Sequence, residues 1–278
     1  MPTSKKPDRE ESVSNPFDDS DLVDRIGPLS ERSDEYKTWL LSILRSNNCR
    51  RVLDVACGTG VDSVYLLKQG LEVVSCDDSE AMLRYARSEK ERLRLDDWAI
   101  KRANWLTLTE DLTDTEPFDA VLCLGSSILH LVDSTPELAL LRKSLVNFKK
   151  FLKPGGLLMI DHRNLDSMLD RGLVVNKRIY HKEHALMGAT AEVIKKNGRR
   201  QRVDISYSIA TNGFKEGNLK LETNTLQLAP VYLHDFSALL KEMFGTSRKY
   251  AIYGDLVCQD MTDTENTAYF QHVIYKGI

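Results

Sequence analysis

The run Ala56-Cys57-Gly58-Thr59-Gly60-Val61-Asp62-Ser63 puts two glycines into one short turn. Such a turn lets backbone close on a ligand while the helix behind it offers unpaired N–H groups. The spacing is not the G-x-G-x-x-G of dinucleotide sites, because Asp62 stands where the third glycine would be. A pyrophosphate there would face a carboxylate. A ligand without phosphates meets no such conflict and still needs an acid for its ribose hydroxyls, and Asp77, closing the apolar run LEVVSCDDS, is placed to supply it. Two other chemistries fail on spacing. The five cysteines, Cys49, Cys57, Cys76, Cys123 and Cys258, form no C-x-x-C pair and read as reduced, mostly buried thiols. The run His181-Lys182-Glu183-His184 lacks the H-E-x-x-H arrangement and falls in a predicted strand, so no metal is expected.

These residues need elements that deliver them to one edge. RRVLDVACGTG reads as a short buried strand ending in the glycine turn, and VDSVYLLKQG as the amphipathic helix after it, closed by Gly70. LEVVSCDDS is a second strand, EAMLRYARSEKERLRL a long helix, and DDWAIKRANW a third strand with its loop. FDAVLCLGSS, PELALLRKSLVNFKKFL and KPGGLLMIDHRN continue as strand, helix and strand. Unbroken β-α alternation predicts an α/β fold with a mostly parallel, doubly wound sheet. Upstream, residues 1–22 are charged and polar with almost nothing to bury and are expected to be a flexible segment. A Ser or Asp cap then opens a helix over SDEYKTWLLSIL. After Asp166 the stretches LVVNKRIYHK, ALMGATAEVIKK, RQRVDISYSIA and NLKLETNTLQLAP read as β-rich, so residues 173–230 are expected to form an antiparallel insertion between 23–172 and 231–278. The helix VYLHDFSALLKEMFG and strands around 247–254 and 267–275 return the chain to the main sheet.

In this order, VLDVACGTG, Asp77, FDAVLCLGSS and LKPGGLLMIDHRN resemble the motif series of class I S-adenosylmethionine-dependent methyltransferases, with their Rossmann-like sheet. EYK-x-WLL, ACGTGVDS, ANWLTL, CLG-x-S, GGLL-x-IDHRN and YF-x-HV further resemble the animal glycine N-methyltransferases, over nearly the whole chain from Arg32 onward. The resemblance implies N-methylation of glycine to sarcosine with release of S-adenosylhomocysteine, in one-carbon metabolism. It also implies a cytosolic homotetramer and folate as a regulator. Residue by residue, it places Arg32 on the methionyl carboxylate, Ala56 and Gly58 at the turn, and Asp77 on the ribose hydroxyls. Asn104 and Trp105 fall beside the adenine, and Leu124, Ser127 and His130 along the floor of the cleft. Plainer readings stand beside these: Trp105 as a core residue, His130 as a hydrogen-bonded loop histidine, Asp77 as a solvated strand end.

Methyl transfer to an amine is an in-line displacement that needs a neutral nitrogen and a short approach but no protein nucleophile. An amino-acid acceptor needs its carboxylate held away from the reacting end, a task suited to the guanidinium fork. Arg163, at the carboxyl end of GGLLMIDH, is the candidate, and the resemblance assigns it that clamp; an ion pair with Asp161 or Asp166 is the alternative. The resemblance puts Tyr207 and Tyr269 in the acceptor pocket and Tyr180, with His181, near another such position; simple aromatic packing is the competing account of each tyrosine. Ser126 stands where the family carries Asn, and Leu228 and Ala229 where it has a tyrosine pair. Leu22 and Arg25 take the places of a Trp and a Tyr. An altered pocket is therefore expected, with weaker glycine binding or a preference for a bulkier amine, and the polar N-terminal segment weakens the case for the tetramer.

At 278 residues the chain suffices for one large domain with an insertion. A formal charge of -3 supplies no broad basic field, which argues against a nucleic-acid partner. No apolar run approaches the roughly 20 residues of a membrane span, and the N-terminus is polar, so a cytoplasmic protein that binds no membrane is expected. Three other functions remain at this point. They are methylation of a different small amine, a non-catalytic S-adenosylmethionine- or folate-binding regulator, and a dehydrogenase, the last opposed by Asp62.

Overall fold

The computed structural model describes Phe17 and residues 31–133, 135–175, 177, 179–180, 186–196, 198–210, 221–245, 249–258 and 264–277. Leu22, Arg25 and the His181–His184 run lie outside the described residues. In chain order the elements are α1 (Asp34–Ser46), β1 (Arg51–Asp54), α2 (Val61–Lys68), β2 (Glu72–Asp77), α3 (Glu80–Leu93), β3 (Ala99–Arg102) and α4 (Leu108–Asp111). Next come β4 (Phe118–Cys123), α5 (Ala139–Lys150), β5 (Leu152–Arg163), α6 (Asp166–Arg171), β6 (Leu186–Lys196), β7 (Arg199–Ala210) and β8 (Leu221–Leu228). The chain ends with α7 (Leu233–Phe244), β9 (Tyr250–Gly254), β10 (Val257–Cys258) and β11 (Tyr269–Tyr275).

Local chemistry explains most boundaries. The Ser33 hydroxyl accepts the Tyr36 N–H at 3.1 Å and starts α1, with Asp34 and Glu35 in the first turn and Arg45 in the last, as the helix dipole favours. Tyr36, Leu40, Ile43 and Leu44 recur at helical spacing and are buried against the sheet. Ser79 caps α3 in the same way, accepting the Met82 N–H at 3.2 Å. Helix α7 starts at Leu233, two residues later than periodicity indicates, because its cap comes from elsewhere: Asp166 accepts the Leu233 N–H at 3.0 Å. Leu173, Val174 and Val175, expected to open the β-rich region, form no strand and follow α6 as a connection.

Eight strands form one sheet in the order β10-β9-β11-β5-β4-β1-β2-β3. Strands β1 to β5 are parallel, and β11 runs antiparallel between β5 and β9. Connections lead away from β1 towards β3 on one side and from β4 on the other. The strand order therefore reverses between β1 and β4, which opens a crevice at their carboxyl ends. Strands β6, β7 and β8 form a second, antiparallel sheet. Its inward residues Val203, Ile205 and Leu228 join the core cluster that holds Leu165, Met168 and Phe236, so the small sheet packs over the carboxyl end of β5. The Ala229 N–H donates to the Leu129 carbonyl at 2.7 Å and ties its last strand to the main body.

The central strands are buried on both faces, and the polar groups inside them must find partners there. His162 of β5 and His272 of β11 are fully buried, their Nε2 atoms 2.9 Å apart. The Arg163 carbonyl, 3.0 Å from His162 Nδ1, can only accept, so Nδ1 carries the proton and His162 Nε2 must accept. His272 therefore donates from Nε2, and its Nδ1 accepts the Tyr250 hydroxyl at 2.6 Å. One acceptor at the end fixes every tautomer. Burial lowers His162 to a pKa of about 4 and holds His272 well below the usual histidine range.

A depressed native pKa gives stability that is present above the unfolded value near 6.5 and lost as pH falls below it. His272→Gln keeps one donor and one acceptor and removes the titration. Between pH 7 and pH 5 we expect the wild type to lose about 2 kcal/mol more than the variant from this one ring, measured by denaturant unfolding. Parallel losses in the two proteins would show that the ring titrates in the folded protein as it does in the unfolded chain.

Candidate active site

The glycine turn leaves β1 at Asp54, which is buried. Its carboxylate accepts the Ala56 N–H at 3.3 Å and the Ser63 hydroxyl at 2.7 Å. Behind Ser63 a chain runs through Ser75, at 2.7 Å, to the indole N–H of Trp98, at 2.8 Å. Burial raises Asp54 to a pKa of about 7. Gly58 and Gly60 both take positive φ, +52° and +86°. At Gly58 the requirement is conformational, since an added Cβ would reach only Met82 Sδ at 3.9 Å. At Gly60 it is also steric, because a Cβ would lie 2.4 Å from Cη2 of the fully buried Trp98.

Asp77 ends β2 half-buried and accepts the Gly58 N–H at 2.9 Å and the Ser79 N–H at 3.0 Å. Burial raises its pKa. It is thus no mere solvated strand end, and its oxygens keep acceptor capacity for hydroxyls. Ala56 is half-buried beside it. Asn104 is already committed, its amide donating to Asp78 at 2.9 Å and its oxygen accepting the Leu106 N–H at 2.9 Å. Trp105, half-buried, donates its indole N–H to the Val55 carbonyl at 2.7 Å and packs edge-on against Phe148, which gives it a core role. Leu124 is buried, and the Ser127 hydroxyl donates to its carbonyl at 2.8 Å. His130, lowered by burial to a pKa of about 4, has a buried Nδ1 without a hydrogen-bond partner. The Phe17 ring meets it edge-on at 4.9 Å, and Phe17 is the one described residue of the segment expected to be flexible.

Arg32 grips Asp62 through Nε at 2.9 Å and Nη2 at 2.8 Å, and the Tyr36 hydroxyl donates to the same carboxylate at 3.1 Å. This corrects the reason given against a dinucleotide. Asp62 is a neutralised partner of Arg32, so its charge does not by itself repel a phosphate.

The residues expected at the acceptor end gather around the carboxyl end of β5. Arg163 is buried at the end of β5, donating to Tyr269 at 2.8 Å, to Tyr207 at a long 3.4 Å and to the Val175 carbonyl at 3.0 Å. Its Nε has no partner. Asp161 and Asp166, the proposed ion-pair partners, are engaged elsewhere, by Ser126 and Tyr180 and by Leu233 respectively. Among the described residues no carboxylate neutralises Arg163. The Ser126 hydroxyl is likewise buried and unpartnered, on a backbone with φ of 59°. Tyr180 packs edge-on against Tyr269 at 4.8 Å, so Ser126, Tyr180 and Tyr269 gather around β5. Leu228 and Ala229 are buried in the apolar cluster with Leu129, and the space there is aliphatic.

Methyltransferase domain is the description of the family that matches residues 46–218. Glycine N-methyltransferase of Rattus norvegicus is 39% identical over 257 residues, spanning 90% of this chain and 88% of its own. The Homo sapiens glycine N-methyltransferase is 38% identical over 259 residues, with coverage of 90% and 88%. The chain belongs to the glycine N-methyltransferase family. Among solved structures, an S-adenosylmethionine-dependent methyltransferase from Clostridium acetobutylicum aligns with a TM-score of 0.65 over 93% of this chain and 98% of its own. At 17% identity that likeness is one of fold.

The crevice fits the family's methyl donor. Gly58 leaves room beside the turn, Asp77 offers oxygens to hydroxyls, and the buried His130 Nδ1 has no hydrogen-bond partner within the described residues. Sequence reasoning singled out these residues but missed Asp54, Tyr36 and Asp161 as supports. For Asp54 and Asp161 the available signal was an acid close to the end of a predicted apolar strand. Gly60→Ala is expected to lower stability by about 2 to 4 kcal/mol, from left-handed strain and the collision with Trp98. A loss below 1 kcal/mol in denaturant unfolding, at about that resolution, would mean that Trp98 moves freely.

Proposed function

We propose that this protein transfers a methyl group from S-adenosylmethionine to the nitrogen of glycine, giving sarcosine and S-adenosylhomocysteine. The observation that carries the reading is Arg163, a buried guanidinium without a neutralising carboxylate among the described residues. A buried cation is unfavourable unless an anion meets it, and the carboxylate of a small amino acid supplies one. When bound, S-adenosylmethionine supplies a methyl group on a sulfonium, open to in-line attack by an amine lone pair. Arg163 holds the acid end through its fork, with Tyr207 and Tyr269 limiting how the acceptor can turn. Asp77 and the Gly58 turn, across the crevice, hold the donor's ribose, and Arg32 offers a cation at the mouth of the turn for its carboxylate.

Two variants should separate the halves of the site. Arg163→Lys replaces a planar fork by a point charge and is expected to cripple glycine methylation while S-adenosylhomocysteine binds as before. Asp77→Ala is expected to weaken S-adenosylhomocysteine by about 1.5 to 3 kcal/mol by calorimetry. A lowered melting temperature with normal kinetics in Arg163→Lys would remove the clamp. Retention of the methyl donor with a panel of other small amines methylated in preference to glycine would favour the wider-acceptor reading that Ser126 and the aliphatic wall at Leu228 and Ala229 suggest. Assembly as a cytoplasmic homotetramer of one-carbon metabolism, with folate as a regulator, belongs to the same proposal. Sedimentation with and without folate tests it.

A further inference from the structure

Asp161 lies one strand position beyond Ile160 in β5, facing Gln271 of β11, and is fully buried. No cation stands within ion-pair distance of it among the described residues. A buried carboxylate persists only where hydrogen bonds replace water, and here they come from two directions. Oδ1 accepts the Ser126 N–H at 2.7 Å, with the Gly125 N–H also directed at the carboxylate. Oδ2 accepts the Tyr180 hydroxyl, whose oxygen in turn accepts Gln271 Nε2 at 3.1 Å, and Gln271 Oε1 accepts the Leu256 N–H at 2.9 Å.

Both arms reach acceptor-site groups. Gly125 and Ser126 have φ of 81° and 59°, and a serine in the left-handed region holds that conformation only where its surroundings impose it. Successive N–H groups converging on one carboxylate are such an imposition. The hydrogen bond therefore sets where the unpartnered Ser126 hydroxyl stands. On the other arm, Asp161 fixes the ring of Tyr180, which packs on Tyr269, and Tyr269 accepts from Arg163. Tyr180 also touches the donor end, because its carbonyl accepts the Ser33 N–H at 2.8 Å beside Arg32.

We propose that Asp161 is a positioning residue for methyl transfer, holding Ser126 with one oxygen and Tyr180 with the other so that both face the acceptor. This rests on the reading of Ser126, Arg163 and Tyr269 as the acceptor site. A carboxylate is required because both neighbours donate. The amide of Asn has one acceptor oxygen, so in Asp161→Asn either the Ser126 N–H or the Tyr180 proton loses its partner.

The test is a double-mutant cycle of Asp161→Asn and Tyr180→Phe, with glycine kinetics and S-adenosylhomocysteine calorimetry on each protein. Asp161→Asn is expected to lower kcat/KM for glycine roughly tenfold to a hundredfold through misplacement, with S-adenosylhomocysteine affinity within about threefold of wild type. In the Tyr180→Phe background the same change should cost less than about threefold, because Phe has no proton to place and the Asn oxygen can serve Ser126 alone. Wild-type kinetics in Asp161→Asn, or losses that simply multiply in the double variant, would overturn the proposal. Should Asp161→Asn not fold, Tyr180→Phe alone decides: reduced glycine use with intact S-adenosylhomocysteine binding supports the arrangement, and unchanged glycine kinetics sinks it. Arg163→Lys in the same series separates the two layers. A crippled Arg163→Lys beside a normal Asp161→Asn removes only the positioning role, whereas a normal Arg163→Lys removes the acceptor site and Asp161's role with it.

Discussion

Three carboxylates, Asp54 at the end of β1, Asp77 at the end of β2 and Asp161 near the end of β5, sit where parallel strands give way to turns. Among the described residues none has a cation within ion-pair distance. Each instead accepts backbone N–H groups from the turn beside it: Ala56 for Asp54, Gly58 and Ser79 for Asp77, Ser126 for Asp161. Burial raises the pKa of all three, Asp54 to about 7 and Asp161 to about 6. The turns are thereby fixed by acids that they themselves solvate. Loosening any one bond frees a loop that carries a site residue, which is why the crevice can be precise although it is built almost entirely from connections.

The two arginines resolve the same electrostatic problem differently. Arg32 meets a protein carboxylate, Asp62, through two of its nitrogens, and Tyr36 adds a hydroxyl to that pair. Arg163 meets tyrosine hydroxyls and a carbonyl, neutral groups that orient the fork without cancelling its charge. The first arrangement fixes Arg32 at the mouth of the glycine turn. The second leaves a buried positive charge without a compensating carboxylate among the described residues, where its attraction for an anion is least screened.

How much of this could be read beforehand depended on the range of the interaction. Alternation of apolar runs and amphipathic helices, the Ser33 cap and the left-handed glycines are local, and the sheet, α1 and the turn followed from them. Helix α7 began late because its cap is Asp166, a residue that only the folded chain brings near. Asp62 was misread for a related reason: its charge was visible, but its partner thirty residues upstream was not. Asp161 stood in plain view within IDHRN, yet its task depends on Tyr180 and Ser126 arriving from separate loops. The opposed histidines of β5 and β11 were invisible because their register is set across 110 residues.

The place of β11 has a further consequence. Arg163 stands at the end of β5, but its nearest hydroxyl belongs to Tyr269, on a strand that enters between β5 and β9 and runs against its neighbour β5. As a polypeptide leaves the ribosome its earlier segments can pack first, and contacts between distant parts of the chain wait for the later ones. The turns that follow β1, β2 and β4 are made of residues synthesised well before β11. The surroundings of Arg163 are complete only when β11 slides between β5 and β9. Until synthesis has passed Tyr269, the end of β5 thus lacks its antiparallel neighbour and Arg163 the hydroxyl to which it donates.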